Sequence, residues 1–306
     1  MPLPFPTFRT ILLPAIAVFL NPNPILQAEE KERNIDAISD NAFIIEEAYN
    51  QEPGVVQHIT TLTRGVDLAV ENDARSWNYT FTQEWPLWSQ DHQFSYTVPY
   101  AFRTGTDGNN GPQDVLLNYR YQLLMESDRQ PAISPRLSAI LPTGNQNDGL
   151  GSDAAGFQLN LPVSKTVTDE LRVHFNAGAT YLPDVRVRLS DTFSDEGLIL
   201  RQNAFSVRHD LIGYNLGAGV HYAPFPKLHF LLEGTTTWDH AINGDSGTRE
   251  ETFSGIILPG LRYAVDTPGG VQIVLGLGAP IGLTRDAADY GVLFYLSVEH
   301  DFVEKK

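Results

Sequence analysis

From residue 55 to the C-terminus, apolar and polar side chains alternate in runs of about ten residues, broken by stretches rich in Gly, Pro, Asp and Asn. Period-two alternation is the pattern of a strand with two unlike faces. In Leu171–Tyr181 the residues Leu171, Val173, Phe175, Ala177, Ala179 and Tyr181 face one way. Arg172, His174, Asn176, Gly178 and Thr180 face the other. Phe94, Tyr96, Val98, Tyr100 and Phe102 form a similar row, as do Val271, Ile273, Leu275, Leu277, Ala279, Ile281 and Leu283. The pattern predicts twelve strands. They are Val55–Arg64, which alternates least well, Trp77–Leu87, Gln93–Arg103, Asp114–Leu124, Ile133–Leu141 and Phe157–Thr166, then Leu171–Tyr181, Leu211–Tyr222, Lys227–Trp238, Phe253–Val265, Val271–Leu283 and Tyr290–Phe302.

The connections sort by length. Trp88–His92, Glu126–Ala132, Val167–Glu170, Ala223–Pro226 and Asp266–Gly270 are short. Gly65–Ser76, Thr104–Gln113, Pro142–Gly156, Pro183–Asp210 and Asp239–Thr252 are longer and polar, with Thr284–Asp289 a compact exception. Within Pro183–Asp210, the stretches Val185–Leu189 and Leu198–Phe205 could extend the flanking strands above the membrane as a hairpin. Short turns at one end and long loops at the other are the habit of outer-membrane barrels, periplasmic and extracellular respectively. A soluble sandwich has no reason to segregate its loops this way. The expected fold is therefore all-β: a transmembrane antiparallel up-and-down barrel of about twelve strands. Trp77, Trp85, Trp88, Tyr181, Tyr222, Trp238 and Tyr290 fall near strand ends, where amphipathic rings meet headgroups.

The N-terminus changes the picture. Arg9 precedes an apolar stretch from Ile11 to Leu20, and Ala28 stands before Glu29. This reads as a signal peptide over 1–28, too short and too interrupted at Pro14 for a spanning helix. Residues 29–54 have no strand partner. They are expected to be a disordered periplasmic leader, the preferred reading, or a short plug in the lumen, ahead of a barrel over 55–306.

Composition narrows the function. With 37 Asp+Glu against 21 Lys+Arg, the net charge is −16, which repels nucleic acid. There is no cysteine, so a secreted chain must be held by something other than disulfides. Mean hydropathy is only −0.20 because polar lumen residues offset apolar lipid-facing ones. Charged or titratable residues on the polar faces are the lumen-facing candidates: Glu84, Arg103, Arg120, Arg136, Arg172, His174, His229, Glu233, Arg262, Glu299 and Asp301. Arg or Lys facing lipid at mid-depth costs roughly 2–4 kcal/mol. These groups are read mainly as paired struts, with an unpaired subset needed for a solute path.

Motifs for chemistry are weak. Gly217 with Gly219, and Gly276 with Gly278, resemble fragments of nucleotide-binding loops but lie inside strands, where their expected role is to leave room in the lumen. The eight histidines show no metal spacing, so neither a metal nor a cofactor is expected. Ser206, His209 and Asp210 share a loop without a nucleophile motif, so no enzyme is expected.

The stretches Asn41–His58, Phe94–Tyr100, Asp114–Tyr121 and Leu141–Gly144 resemble the outer-membrane transporter family named for the meta-pathway of phenol degradation. The resemblance covers most of the mature chain, through structural hallmarks rather than binding residues. It implies a bacterial outer-membrane barrel passing small organic, often aromatic or apolar, solutes. The expected partners are outer-membrane lipid, such a solute, and the barrel-assembly machinery through the aromatic-rich C-terminal strand. A structural or surface-interaction barrel with a plugged lumen is the alternative, and an outer-membrane hydrolase a weaker third.

Overall fold

Alternation of this kind leaves each strand with one apolar and one polar face, and closing the sheet hides the polar one. The computed structural model describes residues 42–68, 76–103, 109–189, 205–243 and 246–302. The expected signal peptide, the start of the expected leader and residues 190–204 of the Pro183–Asp210 connection lie outside the described residues.

Twelve strands follow one another around a closed sheet. They are β1 (Val55–Val66), β2 (Ser76–Leu87), β3 (Ser89–Arg103), β4 (Val115–Tyr121), β5 (Arg136–Leu141) and β6 (Gly156–Thr168), then β7 (Leu171–Leu189), β8 (Phe205–Phe225), β9 (Leu228–Ile242), β10 (Arg249–Asp266), β11 (Gln272–Gly278) and β12 (Tyr290–Asp301). Three two-residue pieces, Gly111–Pro112, Ala132–Ile133 and Ile281–Gly282, extend β4, β5 and β11 across irregularities. Each strand pairs antiparallel with the next, and β12 closes on β1 from Val55↔Asp301 to Val66↔Tyr290. Closure removes the free edges, so every ladder group finds a partner without water.

The two faces separate as the alternation requires. Leu159, Leu161, Phe175, Leu216, Leu232, Leu275, Leu277 and Phe294 are exposed on the outside, on β6 to β9, β11 and β12. Their neighbours in sequence, such as Asn160, His174, Asn176, Glu233, Val274 and Tyr295, are buried inside. An apolar belt this extensive is far beyond what a water-soluble surface carries and suits a hydrocarbon phase.

The boundaries differ from expectation in three places. The turn expected at Trp88–His92 shrinks to Trp88 alone, which takes a left-handed φ of 62° so that Leu87 can pair with Ser89. Regular pairing of β4 stops at Tyr121, not Leu124. The Tyr121 amide bonds the Pro135 carbonyl, and Pro135 has no N–H to return, although Leu124 still bridges Ile133. Most important, the strands flanking Pro183–Asp210 run past Tyr181 and begin before Leu211, as the hairpin extension through Val185–Leu189 allowed. They pair there from Phe205↔Leu189 to His209↔Val185. Pro183 and Asp184 interrupt the sequence alternation, but they form an irregularity within the ladder, with Asp184 at φ 55°.

Candidate functional site

The inner wall holds a guest from the same chain. Residues Ala42–Gln51 form no ladder of their own, so their backbone groups need other partners. Wall side chains supply them. The Glu233 carboxylate accepts from the amides of Phe43 (2.9 Å), Ile44 (2.8 Å) and Ile45 (3.0 Å). Asn176 accepts from the Glu46 amide and donates to its carbonyl, both at 2.8 Å. Ser164 Oγ accepts from the Ala48 amide, and Gln122 Nε2 donates to the Ala48 carbonyl. Arg120 donates to the carbonyls of Glu47 and Tyr49 and to Asn50 Oδ1. Gln93 Oε1 accepts from the Gln51 amide at 2.7 Å. All these partners except Gln122 sit on strands, in the half nearer the short turns.

Side chains of the segment are seated as closely. Glu46 receives a two-pronged bond from Arg136, at 2.9 and 2.6 Å, and one from Asn160 at 2.9 Å. Phe43 lies in a niche made by glycines. A methyl group added at Gly276 would come within 2.5 Å of its ring, and one at Gly260 would also overlap it. Tyr295 stands with its ring centroid 5.4 Å from that of Phe43, and Leu258 and Val274 complete the apolar cluster. Ile45 uses a second glycine opening at Gly217 and Gly219. Thus the room foreseen at both glycine pairs is filled by the chain itself. Above the segment the inward face continues with Thr61, Thr80, Thr82 and Thr97, which are half-buried rather than sealed.

Glu47 joins a buried cluster. Its Oε1 lies 3.3 Å from His221 Nδ1 and 3.5 Å from Arg262 Nη2. The His174 ring stands 4.4 Å from that of His221, and His174 Nδ1 shares a 2.8 Å hydrogen bond with Ser164 Oγ. His229 Nδ1 is 3.5 Å from Arg262 Nη2.

The candidate residues from the sequence divide accordingly. Arg120, Arg136, Glu233 and Arg262 contact the segment directly, and His174 reaches it through Ser164. Glu84 accepts from Gln93 and lies 3.9 Å from Arg120, one step behind the contact. Arg172 is buried on the same wall, two residues before His174 on β7 and directly opposite His221 on β8. His229 backs Arg262. Arg103 stands apart at the long-loop rim, donating to the Gly149 carbonyl. Glu299 and Asp301 lie at the opposite mouth, lining a shallow polar depression with Glu52 and Asp266.

A search by charge missed half the site. Gln93, Gln122, Asn160, Ser164 and Asn176 are uncharged, yet all five follow the same alternation. His221 was equally readable between Val220 and Tyr222. Glu46 and Glu47 carried no signal, because nothing local shows that they enter the barrel.

No family model matches the chain, and no curated protein matches its sequence. Among solved structures, an outer membrane channel from Pseudomonas putida F1 aligns at a TM-score of 0.57 with 15% identity, over 83% of this chain and 98% of the other. The β domain of the Bordetella autotransporter BrkA aligns at 0.47 with 11% identity, over 82% and 100%. The CymD monoaromatic hydrocarbon channel aligns at 0.46 with 11% identity, over 82% and 89%. The first of these shares the barrel fold.

Outside the barrel, a groove of about 550 Å³ lies among Leu161, Phe175, Leu216, Ile256 and Leu283, with Gly217 at its floor. The β7–β8 and β8–β9 ladders run unbroken beneath it. It is a depression in the wall, not a perforation.

Proposed function

We propose that this chain is a bacterial outer-membrane channel for small organic solutes, aromatic ones included, and that Ala42–Gln51 is its removable occupant. The observation that carries this reading is how the segment is held. Wall side chains bind its peptide groups one by one, as a protein binds a ligand, while a barrel built only as a scaffold can fill its interior with its own paired side chains. The Phe43 niche supports the solute class. Inward glycines on β10 and β11, facing Tyr295, leave a flat apolar space the width of one ring. Once Phe43 withdraws, the space suits the ring of a solute. The acidic mouth with Glu299, Asp301 and Asp266 favours neutral or cationic solutes over anions.

The test is a reversible lock. A Cβ built on Gly219 lies 3.6 Å from the Ile45 Cβ, within the roughly 3.5–4.5 Å that a disulfide spans. Ile45→Cys with Gly219→Cys should therefore cross-link the segment to the wall, and no native thiol competes. In planar bilayers and liposomes, the oxidised protein should be closed to ions and to phenol, and reduction should restore both fluxes. Silence in both redox states would favour the structural barrel. High conductance in both would mean that solute bypasses the segment.

A further inference from the structure

Beyond its hydrogen bonds, the seat of the segment contains buried imidazole nitrogens that no protein group hydrogen-bonds, close to the Glu47 carboxylate. One oxygen or nitrogen each from Glu47, His174 and His221 lie within 4.8 Å of one another, and all three side chains are buried. His174 Nε2 makes no hydrogen bond, and neither does either nitrogen of His221. The 3.3 Å approach of His221 Nδ1 to Glu47 is too poorly aligned to count as one. A buried imidazole nitrogen left in this condition has lost water without gaining a partner, which is destabilising.

We propose that Glu47, His174 and His221 form a site for a divalent transition-metal ion of the Zn²⁺ class, which staples the lumen segment to the barrel wall. Two imidazoles and one carboxylate are ligands that such an ion takes, with a fourth position left for water. Ligand atoms sharing one tetrahedral ion sit roughly 3.3 Å apart, the separation Glu47 and His221 already have. Ser164 orients the set. If His174 Nδ1–H donates to Ser164 Oγ, the Nε2 lone pair is free to bind metal, and this support behind a ligand is what metal sites ordinarily use. Register explains why the histidines converge. His174 pairs with Gly219 and His221 with Arg172, so the two rings are diagonal neighbours on the inner face, with no side chain at Gly219 between them.

Arg262 is the competing cation, 3.5 Å from Glu47 Oε1. Arg262 and His221 approach the same oxygen, so an ion bound there requires the guanidinium to shift to Oε2. Two ligands lie on the wall and one on the segment, so bound metal would oppose withdrawal of the segment. The site stands on the segment's seat alone and does not require solute passage.

The experiment titrates Zn²⁺ into the full chain in detergent after exhaustive chelation. One ion should bind per chain and raise the unfolding temperature. His174→Gln and His221→Gln should each weaken binding at least tenfold, whereas His300→Gln should leave it unchanged. That control matters because His58 and His300 form a second, more exposed pair with their Nε2 atoms 3.4 Å apart. X-ray absorption on the unsubstituted protein covers the case in which a variant misfolds, and it should report two imidazole nitrogens and a carboxylate oxygen. Binding abolished by His300→Gln, affinity unmoved by His174→Gln and His221→Gln, or no binding at all would each overturn the site.

Discussion

Glu233→Gln is the sharpest perturbation of the seat, because one carboxylate holds three consecutive peptide groups. Oε1 accepts from Phe43, and Oε2 accepts from both Ile44 and Ile45. Glutamine keeps the shape but replaces one oxygen with an NH₂ group. Whichever way the amide is turned, at least one peptide N–H then faces another donor. Hydrogen bonds to a charged group contribute about 1.5–3 kcal/mol each, and neutral ones about 0.5–1.5 kcal/mol. A neutral amide is cheaper to bury than a carboxylate, which returns part of the loss. The net weakening of docking is about 2–4 kcal/mol, or roughly thirty- to several-hundred-fold in the ratio of seated to withdrawn segment. Two measurements read it: open probability in single-channel recordings, and the rate at which the thiol of Ile45→Cys reacts with a bulk maleimide. Both should rise by that factor in Glu233→Gln, and less in Glu233→Asp, which keeps the charge but retreats by one methylene. An unchanged open probability together with an unchanged labelling rate, in a barrel that still unfolds cooperatively, would refute the view that Glu233 fastens the segment.

Other consequences follow from the same geometry. Gly276→Val would place methyl groups in the Phe43 niche, so it should raise the open probability and lower phenol uptake relative to ion flux. Leu277→Arg, on the lipid face, should cost assembly roughly 2–4 kcal/mol and reduce refolding yield into vesicles; a native yield would mean that this face does not meet lipid. Glu126, in the β4–β5 connection, accepts from Tyr49, the Thr166 amide and Lys165. Burial pushes its carboxyl up, but those three bonds outweigh burial and hold it below the ordinary 4.5. A lowered folded-state value makes this anchor fully effective above about pH 4.5 and progressively lost as the pH falls through the folded value. In chelated protein, the difference in open probability between the native chain and Tyr49→Phe should then be constant from about pH 8 to 5 and shrink only in stronger acid; a difference that already shrinks near pH 6 would contradict this.

The barrel was readable because its rule is local. Period two decides which face Phe175 and Asn176 take, and one residue of slippage would exchange them. Where a local signal misled, a single backbone feature was responsible. Pro183 and Asp184 break the alternation as a strand end would, yet the ladder resumes at Val185. The interior was less readable because its partners are distant in sequence. Glu233 on a polar face predicts only that something pays the cost of burying a carboxylate, and the strut reading supplies an arginine. What the structure supplies is a set of backbone amides 188 to 190 residues away. Peptide amides are the same at every position, so no composition or periodicity of residues 42–51 could mark them as the counter-group. The glycines came nearer to giving the answer. A glycine facing inward on a strand weakens it and is kept where something must approach the backbone. Gly217, Gly219, Gly260 and Gly276 are inward and cluster at two places on the wall, each the size of one side chain. Read with the apolar triplet Phe43, Ile44 and Ile45, the only such run between Glu29 and Gly54, they point to an occupant held by shape and a wall that supplies the hydrogen bonds.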